Sequence, residues 1–241
     1  MVYYTAMKSR GKKGTAFWDA EYRESGHFAL SFTQSEDLEK ATRWLIREYG
    51  GTYLNITSSV LDLGCGNGRN LLWLAQTFGV RGTGYDISAE AVKQARVHSE
   101  KNKLNLTYAV RSIAGTLSVP DGSQTLVLDL MTSHFLNADD RVQLIDEIFR
   151  VLKPGGFLIY KTFLLDEDMH ARRMLTEYPT HEENTYMHPR IGMPEHVSTE
   201  DEIIALYGTK FTIHKVYRSH RHKGKDAKRR SIMVYLQKPE F

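Results

Sequence analysis

The chain has 241 residues, is 41% hydrophobic and carries a formal net charge of +3 at pH 7. That length and apolar share suit one domain with a single large core; no run approaches eighteen apolar residues and no signal-type leader opens the chain, so neither a membrane span nor a secretory signal is expected and the expected setting is the cytoplasm. The single cysteine, Cys65, excludes an internal disulfide and a cysteine-rich metal site.

In chain order, residues 1–14 carry Lys8, Arg10, Lys12 and Lys13 with no acid, which predicts a flexible basic N-terminus. A helical cap is expected over 15–50; its segment Phe17-Trp18-Asp19-Ala20-Glu21-Tyr22 either packs a helix on the sheet or covers a ligand. Residues 59–63 form an apolar strand that runs into Gly64, Gly66 and Gly68. A helix follows over 69–78, with Leu71, Leu72, Leu74 and Ala75 apolar and Gly79 as its stop. The second strand spans 81–86, and Ser88 caps a helix reaching Lys101 with Glu90 in its first turn. Strands are predicted over 106–111 and 126–130, then a helix capped by Asn137 whose Val142, Ile145, Ile148, Phe149 and Leu152 share a face. A fifth strand over 157–162, a 36-residue connection over 164–199, a helix over 199–207 and strands over 211–213 and 232–236 complete the chain. Strands alternating with helices predict an α/β fold: one doubly wound, mostly parallel seven-stranded sheet, with the last two strands as an antiparallel edge hairpin.

Three glycines at alternate positions between a strand and a helix let the backbone turn tightly and bring bare N–H groups against a ligand. Asp86 ends the next strand 22 residues after Gly64, where an acid can accept hydrogen bonds from both hydroxyls of a ribose. A dinucleotide fingerprint needs glycine where Arg69 stands. The pattern Val60-Leu61-Asp62-Leu63-Gly64-Cys65-Gly66-Asn67-Gly68 instead resembles the first motif of the class I S-adenosylmethionine-dependent methyltransferases, and 125–130 and Leu152-Lys153-Pro154-Gly155-Gly156 resemble that family's fourth strand and its last helix-to-strand turn. These matches keep the family's order over residues 58–163.

The resemblance implies a Rossmann-like methyltransferase fold, S-adenosyl-L-methionine as methyl donor and S-adenosyl-L-homocysteine as its product. It implies that Asp62 and the loop Gly64, Cys65, Gly66, Asn67 and Gly68, with Asn70, cradle the methionine part; that Asp86 and Ile87 hold the ribose; and that Ser112 and Ile113 edge the adenine. Asp129 to His134 would face the methyl group, and Tyr22 or Trp18 would close the N-terminal side. Transfer would be an in-line attack by the acceptor, with the protein aligning the partners and excluding water. Candidate acceptor bases are His134, Tyr186 and His188. Residues 128–131 lack an Asn-Pro-Pro-aromatic signature, which argues against amino-group methylation on DNA and leaves oxygen, ring-nitrogen, sulfur and metalloid acceptors open.

The positive charge is local: residues 1–14 contribute +4 and residues 215–230 contribute +7, so the rest of the chain is about −8. The second cluster reads either as a phosphate-contacting arm for RNA or as a solvated loop. The 164–199 connection reads as a lid or substrate element. Its histidines, His170, His181, His188 and His196, match no ligand spacing, so no metal is expected. The function these features favour is methylation of a small molecule; an RNA methyltransferase using the 215–230 loop and a non-catalytic cofactor-binding scaffold are the alternatives. The subdivision expected within the single domain is thus 1–14, 15–50, 58–163, 164–199 and 200–241.

Overall fold

The computed structural model describes residues 2–24, 31–219 and 229–240. Its main sheet has seven strands: β1 (Ser59–Leu63), β2 (Arg81–Asp86), β3 (Leu106–Val110), β4 (Gln124–Leu130), β5 (Leu152–Phe163), β8 (Thr212–Arg218) and β9 (Ser231–Gln237). Their order is β3-β2-β1-β4-β5-β9-β8. The first five are mutually parallel and β9 runs antiparallel to both β5 and β8, the expected doubly wound sheet with an edge hairpin. The helices are α1 (Val2–Glu24), α2 (Glu36–Tyr49), α3 (Arg69–Phe78), α4 (Ala89–Lys101), α5 (Ala138–Val151), α6 (Met169–Glu177) and α7 (Glu200–Gly208), with a 3-10 turn at Ser133–Phe135. No helix among the described residues is long and apolar enough to cross a membrane.

The alternation of side chains along a strand explains why the central strands are apolar throughout. Val60, Leu126, Leu128, Phe157, Ile159, Met233 and Tyr235 enter one core with α2, α3 and α4. Their neighbours Leu61, Leu63, Val127, Leu158, Tyr160, Ile232, Val234 and Leu236 enter the other, with α5 and α7. Phe157 is fully buried, with its ring 5.5 Å from that of Trp44, 5.1 Å from Tyr49 and 5.9 Å from Tyr53. Phe157→Ala is expected to remove about 3–5 kcal/mol of stability, read as a lower urea midpoint at unchanged slope.

The caps form as the sequence predicts. Ser88 Oγ accepts from Ala91 N–H at 3.1 Å, Asn137 Oδ1 from Asp140 N–H at 2.9 Å, and Gly79 closes α3 with φ +70°. Three readings change, and one falls outside the described residues. Helix α1 runs through residue 14, so the basic N-terminus and the aromatic segment are one element. β5 begins at Leu152, not 157: the Pro154-Gly155-Gly156 turn is absorbed as an irregularity in which Gln124 pairs with Leu152 and Leu126 with Phe157. The 164–199 connection contains α6 and a two-stranded sheet, β6 (Thr185–Met187) with β7 (Pro194–His196). Finally, residues 220–228 of the basic cluster lie outside the described residues, so only its ends can be placed.

Candidate functional site: a cleft at the carboxyl ends of β1 to β5

A cavity of about 480 Å³ opens where the parallel strands end, the place where open α/β sheets bind ligands and a size suited to a small molecule. Its wall is built from the loops after β1, β2, β3 and β4, from Lys161 of β5, and from Trp18, Tyr22, Ser31, Ser35 and Met193.

The loop after β1 is held by backbone geometry. Gly64, Gly66 and Gly68 have φ of +73°, +54° and +78°, values that L side chains rarely adopt. Gly64 N–H and Cys65 N–H both donate to Tyr85 O, at 2.8 and 2.9 Å, which ties the loop to β2. A Cβ on Gly64 would overlap the Thr132 side chain, and one on Gly66 would overlap the Tyr22 hydroxyl. Gly68 serves packing instead. A Cβ there would meet Tyr108 and Ala95, so this glycine lets α3 pack on α4, and it does not line the cavity. The Cys65 thiol is buried against Gly84, and burial holds its pKa well above the ordinary thiol value. It is a small packing residue, not a nucleophile.

Asp86 stands at the mouth of the loop. Its Oδ2 accepts from Gly66 N–H at 2.9 Å and its Oδ1 from Ser88 N–H at 2.8 Å. Burial raises its pKa, and these amides oppose the shift. Ile87, Ser112, Ile113 and Arg111 continue the wall toward β3. Ser112 Oγ accepts from Ala114 N–H at 3.0 Å, and the Arg111 guanidinium lies 4.7 Å from the Tyr85 ring centroid. On the other side Asn70 Oδ1 accepts from Ser35 N–H at 3.0 Å, and Asn67 Nδ2 donates to Ser31 O at 3.1 Å. Asp19 accepts from Ser88 Oγ at 2.7 Å and Gln94 Nε2 donates to Tyr22 O at 2.7 Å, so α4 holds α1 over the loop.

Asp62 and Asp129 are buried behind this wall. Asp129 Oδ1 accepts from Ser133 N–H at 3.1 Å, while Asp129 Oδ2 and Asp62 Oδ2 have no partner among the described residues. Burial, then the charge of Asp86, lifts the Asp62 carboxyl to about 7 against the pull of Arg69; burial lifts Asp129 to about 6. Three carboxylates, Asp62, Asp86 and Asp129, crowd one end of three adjacent strands, with two of their oxygens unpartnered among the described residues. The site fits a ligand that carries a cation beside a diol.

The three expected acceptor bases are not in the cavity wall. His134 is buried, with its ring 4.2 Å from that of Phe135 and 5.2 Å from that of Phe163, and burial pulls its pKa down to about 4 against the charge of Glu195. The buried Tyr186 donates its hydroxyl to Glu195, and His188 Nδ1 accepts from Ile191 N–H at 3.2 Å. Arg229 Nη1 donates to the same Glu195 at 2.5 Å with its guanidinium over the Phe163 ring. Burial works against the Glu195 carboxylate, but His134, Arg229 and Tyr186 together hold it below the usual range. These groups are the polar core that docks β6 and β7 onto the end of β4, and a lone histidine in a sequence does not disclose that its ring turns inward. Among the described residues no group of three His, Cys, Asp or Glu converges as a metal site would.

The cavity also contains residues that sequence reasoning does not single out: Lys161, Met193, Phe135, Leu136, Arg111 and Ser35. Lys161 had a signal. A charge inside a strand flanked by buried strands is rare unless it reaches a site or a partner.

Residues 60–156 match the methyltransferase domain family. The 27-O-demethylrifamycin SV methyltransferase of Amycolatopsis mediterranei is 33% identical over 61% of this chain and 54% of its own length. The fatty-acid O-methyltransferase of Mycolicibacterium smegmatis is 28% identical over 66% and 57%. The chain spans about half the length of the curated relatives it matches. Among solved structures, a S-adenosylmethionine-dependent methyltransferase from Methanosarcina mazei superposes with a TM-score of 0.65 at 26% identity, covering 80% of this chain and 97% of that one.

Proposed function

We propose that the chain is a class I S-adenosylmethionine-dependent methyltransferase that transfers a methyl group from S-adenosyl-L-methionine to a small-molecule acceptor. The observation that carries the proposal is the pairing of Asp86 with the Gly66 amide at the edge of a glycine-built cleft, beside carboxylate oxygens that lack partners.

When bound, the donor supplies a methyl on a sulfonium, an electrophile that needs no covalent protein nucleophile. Asp86 would hold the ribose diol, the amides of 64–67 the methionine part, and Ser112 with Ile113 the adenine edge. Tyr22 on α1, whose hydroxyl abuts Gly66, would cover the donor and exclude water. Asp62, Asp86 and Asp129 would favour the positive charge through their field. The rifamycin and fatty-acid relatives act, by name, on small molecules. The RNA alternative has less support: Arg218 pairs with Glu200, Arg229 with Glu195 and Arg230 with Glu167, so three described cations of the basic cluster already face carboxylates. A cytoplasmic setting is part of the same reading.

Calorimetric titration with S-adenosylhomocysteine tests the cleft: one site per chain is expected, and no binding would refute the reading. The field of Asp62 adds a pH signature. The sulfonium donor should gain affinity relative to the neutral thioether product as pH rises from 6 to 8 and Asp62 ionises, by up to about tenfold. Asp62→Asn should flatten the difference. A carboxyl whose pKa is raised on folding keeps its proton in the native state after the unfolded chain has lost it. The unliganded protein should therefore lose stability as pH rises from the ordinary carboxylate range toward 7.

A further inference from the structure

The sheet order gives the cavity a direction. Asp86 ends β2 and Lys161 lies near the end of β5, with β1 and β4 between them, a separation of about 14 Å at the usual strand spacing. If the donor lies along the β1 and β2 end, as in the proposed function, the remaining space over β4 and β5 belongs to the acceptor. That end is walled by Trp18, Phe135, Leu136, Met131 and Met193, and among the described wall residues its one charged side chain is Lys161. The rings of Trp18 and Phe135 meet edge-on at 6.1 Å.

Two features show that this end is built with care. Met131 has φ +71° and lines the cavity, with its N–H donating to Lys161 O at 2.9 Å. A bulky residue in the left-handed region costs about 1–3 kcal/mol and persists where the surroundings enforce it, commonly at functional sites. The Lys161 ammonium is paired with Asp37 of α2, and both side chains are only about a quarter exposed. Asp37 N–H is in turn held by Ser35 Oγ at 3.3 Å, and Ser35 N–H by Asn70. An ammonium has three donors, so one contact to Asp37 fixes its position and leaves donors for a ligand.

We propose, on the basis of the methyltransferase reading above, that Lys161 binds the methyl acceptor and that the acceptor is a flat apolar molecule presenting an ionisable oxygen, as a phenol or carboxylic acid does. A cation beside a cationic donor repels unless an anion lies between them, so a neutral or protonated amine acceptor is disfavoured and an oxyanion is favoured. The acceptor enters as its oxyanion, having lost its proton to solvent. An oxygen lone pair forms the new C–O bond while the C–S bond breaks with its electron pair going to sulfur, leaving a neutral ether or ester and a neutral thioether.

The probe is 4-nitrophenol, whose phenolate is yellow, added to the complex with S-adenosylhomocysteine; 4-nitroaniline is the uncharged isostere. The wild type should bind 4-nitrophenol with the absorbance of the phenolate and at least tenfold more tightly than 4-nitroaniline. Lys161→Met should lose at least tenfold in 4-nitrophenol affinity, and Lys161→Arg should retain most of it, with S-adenosylhomocysteine affinity unchanged in both. Asp37→Asn, which frees the ammonium, should give an intermediate loss. Equal affinity of Lys161→Met and wild type, binding as the neutral phenol, or preference for the aniline would overturn the proposal while leaving the donor site intact. Failure of the wild type to bind S-adenosylhomocysteine would overturn the donor reading and this proposal with it.

Discussion

Asp86→Ala is expected to weaken S-adenosylhomocysteine binding at least a hundredfold in a protein that still folds. The carboxylate is buried at the end of β2 and held by two backbone amides, Gly66 and Ser88, which aim it across the cavity mouth. A hydrogen bond to a charged group contributes about 1.5–3 kcal/mol, and a diol makes two, so losing both removes about 3 kcal/mol or more. Each 1.4 kcal/mol is a factor of ten. Removing the carboxylate also strips the Gly66 amide of its acceptor, so the loop itself loosens. Asp86→Asn keeps one acceptor oxygen and should fall between the two. Calorimetry reads the affinities and circular dichroism the fold; an Asp86→Ala protein that binds within threefold of wild type would remove Asp86 from the site.

Gly64→Ala is expected to have the second large effect, on both stability and binding. Gly64 has φ +73°, and its missing Cβ leaves the space that Thr132 fills. An added methyl must displace Thr132, which follows the already twisted Met131 and whose N–H donates to Asp129 at 3.3 Å. Overpacking of this kind costs about 1–3 kcal/mol and the left-handed backbone about 1 kcal/mol more for a residue with a Cβ. A loss of about 2–4 kcal/mol in urea, with weakened S-adenosylhomocysteine binding, is the expected pair of results. Thr132→Ala opens the contested space and should restore part of the stability in the Gly64→Ala background; no restoration would show that the contact is not the cause.

Where a local signal was strong, the sequence was enough. Gly79, Ser88 and Asn137 set the limits of α3, α4 and α5, and apolar runs those of β1 and β2, because caps and strand ends are set by neighbouring residues. The start of β5 was misplaced because Pro154, Gly155 and Gly156 carry turn chemistry, yet long-range pairing with Gln124 keeps Leu152 in the ladder. The 164–199 connection hid its structure because β6 and β7 have three residues each and are fixed by side-chain contacts rather than by an apolar pattern: Tyr186 with Glu195 across the pair, His196 with Glu202 of α7 at 2.8 Å, and Glu182 with Arg141 of α5 at 2.6 Å. His134, Tyr186 and His188 were candidate bases by residue type, and none of them lines the cavity. The Tyr186 hydroxyl and His188 Nδ1 are committed within the insertion, and the His134 ring is buried between Phe135 and Phe163 with its Nδ1 unpartnered among the described residues, which only the three-dimensional arrangement discloses. The proposed donor end of the cleft rests on one contiguous loop and one acid, which a sequence displays directly. The acceptor end is assembled from α1, β4, β5 and the insertion, and no single stretch of sequence contains it.

The most direct test of small-molecule methylation is transfer of labelled methyl from S-adenosylmethionine into a cell extract, separated afterwards into small-molecule, nucleic-acid and protein fractions, with Asp86→Ala as the control. Label in the small-molecule fraction, absent with Asp86→Ala, is the predicted result. Label in the nucleic-acid or protein fraction, or no label despite tight S-adenosylhomocysteine binding, would contradict it.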